Sequence, residues 1–401
     1  MTTSALLVAS SSNWIGPARM PKALADAGFD VHLLAPSDSL IAASRFLVGT
    51  HRLPPDATVL QWVEALATAV DTTSPRILFP CDDLSFRMLR LLAILPPPGV
   101  PASMHLRLSA LVRSSLGDPR HYQTSVDKTL LPEAALALGV RVPRSTVCAA
   151  LAAAEAFALE HGFPVVLKRR HSSFGDGVAI CASYSDLATA FAALIAADHA
   201  DDLGNEVRGR LLVQEFIAGS IEYYAIAAWR GTLLVGYAAS RVVGNPEPKG
   251  PATVTRYHRS PAMREFAQRL VEGFGMSGLL GLECVIANGS AEPYLIEINR
   301  RIVPGTHRGR ELGVDQCAGL HAALEGLPTP TRSDLEAGEE IVRVSFPQEW
   351  LRDPHSRWLR EYPVDVPWGE LELLTAMLAR RRAELDEAAR TSREQIGTGR
   401  V

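Results

Sequence analysis

Residues 279–301 read LLGLECVIANGSAEPYLIEINRR. Two apolar runs, 279–286 and 294–298, flank a segment containing Asn288, Gly289 and Pro293, which is the pattern of two antiparallel strands joined by a turn. If the connection spans 287–293, pairing is centred on residue 290, and Glu283 lies directly opposite Glu297. Asn299, two residues further on, shares the face of Glu297, because strand side chains alternate with a period of two. Like charges opposed across a sheet repel. Leu282, Val285, Leu295 and Ile296 surround them, so loss of water adds to the cost. A hard divalent cation neutralises such a pair: two carboxylates and an amide oxygen, completed by water and phosphate oxygens, suit Mg2+. The competing reading is an exposed hairpin edge on which both carboxylates are hydrated.

Further back, residues 164–169 form a β-branched strand that carries Lys168 near its end. The loop Ser172-Ser173-Phe174-Gly175-Asp176-Gly177 and a second strand at Val178-Ala179-Ile180 follow. Such a loop can lay backbone N–H groups over phosphates. It is not a Walker loop, since G-x-x-x-x-G-K-[ST] occurs nowhere in the chain, and it does not open a helix as a dinucleotide fingerprint does. Lysine usage singles out the same region. Of 40 basic residues only four are Lys: Lys22, Lys128, Lys168 and Lys249. Where Arg is used almost everywhere, a retained Lys marks a place that needs a compact ammonium. Codon bias is the alternative, and it is kept for Lys22 and Lys249.

The N-terminal segment alternates strands at 5–9, 31–35 and 76–80 with helices at 17–27 and 59–70. This βαβ order predicts a small parallel sheet with helices on both faces. Pro96-Pro97-Pro98 interrupts the order, and a boundary is expected near residue 115. Between 116 and 328, helices at 130–138, 149–161, 186–197 and 261–274 are interspersed with strands at 211–216, 222–229 and 232–239. Arg230-Gly231 is a hairpin signal between the last two strands. A Pro/Thr-rich linker then leads into an extension over 329–401, whose end (371–393) has the period and charge of a solvated surface helix. Asp82 and Asp83 end a strand where open α/β sheets place ligands, with helix capping by Asp83 as the alternative. His307, beside Gly305-Thr306, is read as structural or solvated.

Composition narrows the class. The chain has 401 residues, 47% hydrophobic and 21% charged, with a formal charge of −4 and no long run of one sign. That is a soluble globular profile of two or three domains without the electrostatic footprint of a nucleic-acid or anionic-membrane partner. Five widely spaced cysteines without C-x-x-C, no signal-like N-terminus and no apolar run of membrane-spanning length lead to the expectation of a reduced, cytoplasmic protein.

Taken together, these residues resemble the ATP-grasp superfamily, in the branch of the carbamoyl-phosphate synthase large chain and biotin carboxylase. The resemblance covers residues 115–325, and the segment before it is similar to the family's usual N-terminal domain. It implies an α/β and α+β architecture. A Rossmann-like domain would occupy 1–115, an ATP-grasp core 116–328 with its lid at about 140–217, and an extension 329–401. Lys128 and Lys168 match the two lysines that contact nucleotide phosphates. The mobile loop matches 172–177, so Ser173, Gly175 and Gly177 are implied to contact the nucleotide. Glu215, Phe216 and Ile217 match the hinge that reads adenine, and Glu222 matches the ribose contact. Glu283, Glu297 and Asn299 match the metal ligands of the family pattern E-x-N-P-R. Arg300 stands where the family has proline; Arg301 is the aligned arginine, and which of the two faces substrate is left open.

The resemblance implies a ligase that uses ATP and Mg2+, with Mn2+ able to substitute. It would activate a small-molecule carboxylate as an acyl phosphate and join it to an amine or similar nucleophile, with Lys168 and Arg301 as the catalytic cations and Arg308 or Arg310 as helpers of Arg301; a homodimer is compatible with it. The rival readings are a non-catalytic ATP-binding regulator and a bicarbonate-activating enzyme.

Overall fold

The N-terminal segment folds as its βαβ order predicts. In the computed structural model, which describes residues 3–10, 15–54, 56–171, 177–200, 209–245, 251–290 and 292–398, four parallel strands open the chain. They are β1 (Thr3–Val8), β2 (Phe29–Pro36), β3 (Gly49–Leu53) and β4 (Ile77–Pro80), in the order β3-β2-β1-β4. Alternation of side chains sends Leu7, Val31 and Phe79 to one face, against Met20 and Leu24 of the helix Met20–Asp26. Leu6, Leu34 and Leu78 go to the other face, against Trp62 and Leu66 of the helix Val59–Thr73.

The sequence reading missed β3, whose Gly-Thr-His-Arg-Leu has no apolar run. It also missed the helices Asp83–Ile94 and Ala102–Leu116. The second of these starts directly after Pro101: proline disrupts a helix interior but is compatible with a helix start, so the proline-rich run marks a beginning as well as an interruption. The cap of the first is Asp82 rather than Asp83. The Asp82 carboxylate accepts from the Ser85 N–H at 2.7 Å, and the Asp82 N–H donates back to Ser85 Oγ at 3.1 Å. This frees Asp83 for another role.

The second sheet holds β5 (Ser145–Cys148), β6 (Val165–Arg169), β7 (Val178–Cys181) and β8 (Leu211–Glu215), antiparallel in the order β5-β8-β6-β7. The helices Leu151–His161 and Tyr184–Ala200 cover one face through Phe157, Leu187 and Phe191.

The third sheet is β9 (Gly219–Trp229), β10 (Thr232–Gly244), β11 (Ala252–His258), β12 (Gly278–Ala287), β13 (Pro293–Asn299), β14 (Glu340–Ser345) and β15 (Val364–Asp365). Its order is β13-β12-β9-β10-β11-β14-β15. The β9–β10 turn falls on Arg230 and Gly231, both with positive φ, as the hairpin signal required. Residues beyond 328 extend this same sheet through β14, which pairs with β11. The helix Leu371–Thr398 docks its first turns, with Leu373 and Met377 buried against Ala18 and Leu40.

Asp365 of β15 ties the C-terminal stretch to the rest of the chain. It accepts from Arg19 at 2.7 Å, His307 at 2.7 Å and Arg308 at 3.2 Å. Burial pushes its carboxyl up, but His307, Arg308 and Arg19 more than offset this and hold it well below the usual range. A carboxylate depressed in the folded state contributes stability above its unfolded pKa and loses it as pH falls through the folded value. Asp365→Asn is therefore expected to cost about 3–5 kcal/mol at pH 7, since it leaves the buried Arg308 and the half-buried Arg19 uncompensated. In thermal melts at stepped pH, the gap to wild type should narrow below pH about 4.

Gly117 (φ 94°) closes the helix Ala102–Leu116 at a point where Asp118 N–H donates to Gly275 O at 3.0 Å. A Cβ there would run into that carbonyl oxygen, whereas one at Gly162 (φ 79°) would meet open space. Both alanine variants strain the backbone, but Gly117→Ala should cost about 1–3 kcal/mol more than Gly162→Ala in denaturant melts.

Candidate active site

Counted from the turn, β12 and β13 pair Ile286 with Pro293, Val285 with Tyr294 and Cys284 with Leu295. A bulge then inserts Ile296, and the register resumes with Glu283 opposite Glu297, Leu282 opposite Ile298 and Gly281 opposite Asn299. Without that extra residue Glu283 would face Ile296. The expected opposition is therefore present, produced by a β-bulge rather than by a regular ladder, and bulges re-aim side chains in this way. On its other side Glu283 pairs with Tyr223 of β9, so Glu297, Glu283 and Tyr223 form a row across three strands. Burial, then the Glu297 carboxylate, push Glu283 up to about 7 against the pull of Arg301, Lys128 and Lys168. Both carboxylates are half-buried, with the Glu297 side chain 24% exposed on the edge strand.

Two lysines from other segments meet this pair. Lys128 is 5% exposed, and its Nζ lies 3.0 Å from Glu297 Oε2. Lys168, 6% exposed on β6, has its pKa lowered to about 8 by burial and then by Lys128, with Glu297 and Glu283 acting in the opposite sense. What brings them together is a buried ion pair that sequence reasoning missed. Asp127 accepts from Arg170 Nη2 at 2.7 Å and Nε at 3.0 Å, while Lys128 N–H donates to the Arg170 carbonyl at 3.1 Å. Each lysine stands next to, or two residues from, one member of the Asp127–Arg170 pair, and that proximity was the available signal.

The two arginines after Asn299 separate. Arg300 turns into the interior, where it donates to Ser125 Oγ at 3.0 Å and to the Leu116 carbonyl, and stacks over Phe86 and Tyr122. Arg301 stays with the carboxylates and donates from Nε to Asp83 Oδ1 at 2.8 Å, which is the role left to Asp83. A cavity of about 270 Å³ lies here, lined by Arg87, Lys128, Arg169, His171, Glu297 and Asn299 among others. Arg87 comes from the N-terminal segment, in a helix the sequence reading did not place.

Of the other expected contacts, Gly177 accepts from Arg169 N–H at 2.8 Å. Ser173, Gly175 and Lys249 lie outside the described residues. Glu215 accepts from the Arg144 N–H at 2.8 Å and from its Nε at 2.9 Å; Phe216 is exposed and Ile217 half-buried. Glu222 pairs across the sheet with Cys284, while its neighbour Tyr223 pairs with Glu283, so Glu222 points to the opposite face from the carboxylate pair. There it lies 3.3 Å from His258.

Among the described residues no group of three or more His, Cys, Asp and Glu side chains converges; the oxygen ligands at hand are Glu297 and Asn299, which line the cavity, and Glu283 opposite Glu297. Burial first, and the opposed Glu297 second, disfavour the charged form of Glu283, and carboxylate and amide oxygens are the ligands offered beside it. This fits a hard divalent cation. The neighbouring Lys128 and Lys168 fit phosphate oxygens.

The site falls within a segment that is similar to known proteins. A family model described as an ATP-grasp domain matches residues 126–305. These residues form an ATP-grasp domain. The domain spans all of the site residues from Lys128 to Arg301. D-alanine–D-alanine ligase of Ectopseudomonas mendocina (strain ymp) is 27% identical over 191 residues, 45% of this chain and 56% of that one, so the match spans about half of that relative. Biotin carboxylase of Campylobacter jejuni, solved in complex with β,γ-ATP, superposes with a TM-score of 0.63 at 16% identity over 85% of this chain and 75% of its own. N5-carboxyaminoimidazole synthetase of Staphylococcus aureus, complexed with ADP, gives 0.60 at 14% identity over 85% and 82%. The fold is therefore the ATP-grasp fold, with a parallel-sheet domain ahead of it. Among the described residues no helix is long and apolar enough to cross a membrane.

Proposed function

We propose that the chain is an ATP-dependent ligase that activates a small-molecule carboxylate as an acyl phosphate and joins it to an amine, releasing ADP and phosphate. The observation that carries this reading is the Glu283–Glu297 pair held against two buried lysines inside an ATP-grasp domain. Glu283, Glu297 and Asn299 would hold Mg2+, or Mn2+ in the same oxygen set. The cation, when bound, supplies charge neutralisation at the phosphates. Lys128 and Lys168 would hold phosphate oxygens. The hinge residues Glu215, Phe216 and Ile217 would take adenine, whereas Glu222, beside His258 on the face opposite the carboxylate pair, is given no nucleotide contact.

In the reaction a carboxylate oxygen attacks the γ-phosphorus, and the bond to the β–γ bridging oxygen breaks to release ADP. The amine nitrogen then attacks the acyl carbon, the C–O bond to phosphate breaks, and the amine proton leaves to solvent. Arg301, oriented by Asp83, would neutralise charge developing on the transferred group. Arg87, reaching the same cavity from the N-terminal segment, would read the substrate carboxylate. A homodimer remains compatible with the reading.

The test is ADP release from ATP and Mg2+ across a panel of amino acids, other carboxylates and bicarbonate, each with and without amines. Release that needs both a carboxylate and an amine supports the proposal. Release with bicarbonate alone would replace it with the bicarbonate-activating reading. ATP binding without turnover on any acceptor would favour the regulatory one.

A further inference from the structure

A second cavity, of about 480 Å³, shares no lining residue with the one above. Three separate stretches build it: Arg19, Lys22 and Asp26 on and before the first α-helix, residues His307 to Glu311 after β13, and Asp365 of β15. None of these residues belongs to the ATP site described above. Its charges are layered. At the floor Asp365 is shared by Arg19, at 2.7 Å, and the buried Arg308, at 3.2 Å, so two permanent cations meet one carboxylate. His307 also gives its Nε2 to Asp365, and burial, outweighing that carboxylate, lowers its pKa. Towards the mouth Lys22, at 2.5 Å, and Arg310, at 3.9 Å, both converge on Asp26. The remaining lining carboxylate, Glu311, is matched by Arg343 at 2.5 Å.

Each layer therefore carries one more cation than carboxylate. One donor is also left over at the floor: Arg19 Nη1 is used on Asp365, while its buried Nε finds no acceptor among the described residues. A buried charged N–H without an acceptor is costly, and an anionic oxygen is the partner that relieves it.

We propose that this cavity is a second ligand site, for a small metabolite with two anionic groups, one met by Arg19 and Arg308 at the floor and the other by Lys22 and Arg310 at the mouth. The inference is independent of the ligase reading, because it concerns neither the ATP-site residues nor turnover. Phosphate and dicarboxylate groups share the required chemistry.

The experiment measures binding to the full chain by calorimetry, without nucleotide or Mg2+ and at constant ionic strength. The probes are inorganic phosphate, succinate and citrate, with acetate and chloride as monoanion controls. The expected result is saturable binding of phosphate or of the di- and tricarboxylates, but not of acetate or chloride. Lys22→Ala combined with Arg310→Ala should weaken it about tenfold or more, while Lys128→Met leaves it unchanged. Both mouth residues are well exposed, so the double variant should fold, and its melting curve checks this. Which probe binds separates a phosphate ligand from a dicarboxylate. Binding lost in Lys128→Met but kept in the mouth variant would place the anion in the ATP site and overturn the proposal. So would wild-type binding no tighter than that of acetate.

Discussion

Glu283→Gln is expected to lower ADP release at least about a hundredfold while the nucleotide-free protein melts at the wild-type temperature or above it. The loss follows from removing one of the two opposed carboxylates in the proposed cation site. The stability result follows from the sign of the pKa shift. A carboxyl raised in the folded state makes folding less favourable as pH rises from its unfolded value through the folded one, so the ionised group is a burden at neutral pH. A neutral amide of the same shape removes that burden. Glu297→Gln should lose activity equally but melt lower, because it deprives the buried Lys128 of a carboxylate 3.0 Å away. Melting both variants in EDTA and assaying both in Mg2+ checks the pair. If both melt alike, the asymmetry between the two carboxylates is refuted.

Lys168→Arg should cut kcat/KM for ATP about a hundredfold, or roughly 2.7 kcal/mol, although the charge is kept. Lys168 is 6% exposed on a central strand, paired with β7 on one side and β8 on the other. A planar guanidinium needs more room there and presents its donors in a fixed fork, where the site is shaped for a point ammonium. The same residue predicts a pH effect. Burial and Lys128 lower its pKa to about 8, so kcat/KM for ATP should fall above that pH as the ammonium loses its proton. Kinetics between pH 6 and 10 on wild type and Lys168→Arg test this: the variant's low rate should lack the alkaline limb, since a guanidinium does not titrate in that range. Variant kinetics near wild type would remove Lys168 from the phosphate site.

The amino-acid sequence by itself determined the parts of this protein that depend on local pattern. The βαβ order of the first segment, the Arg230-Gly231 turn, the strand carrying Lys168 and the antiparallel strand pair that carries Glu283 and Glu297 follow from periodicity and turn chemistry within short windows, whereas the direct opposition of those two carboxylates needs the bulge. Together with the scarcity of lysine, these features carry the resemblance to the ATP-grasp superfamily. Tertiary structure decided what depends on distant partners. β3 and β11 are held by neighbouring strands more than by their own composition, and β14 extends a sheet begun some 120 residues earlier. The bulge at Ile296 cannot be read from alternation, because one inserted residue flips the register without changing the apolar pattern. The fates of Arg300 and Arg301 likewise rest on Ser125 and Asp83, which are far away in the chain. Asp127 and Arg170 align the two lysines across 43 positions, and the second cavity draws on residues from Arg19 to Asp365. Charge pairing of this kind acts through space, so its partners emerge only when the chain is folded.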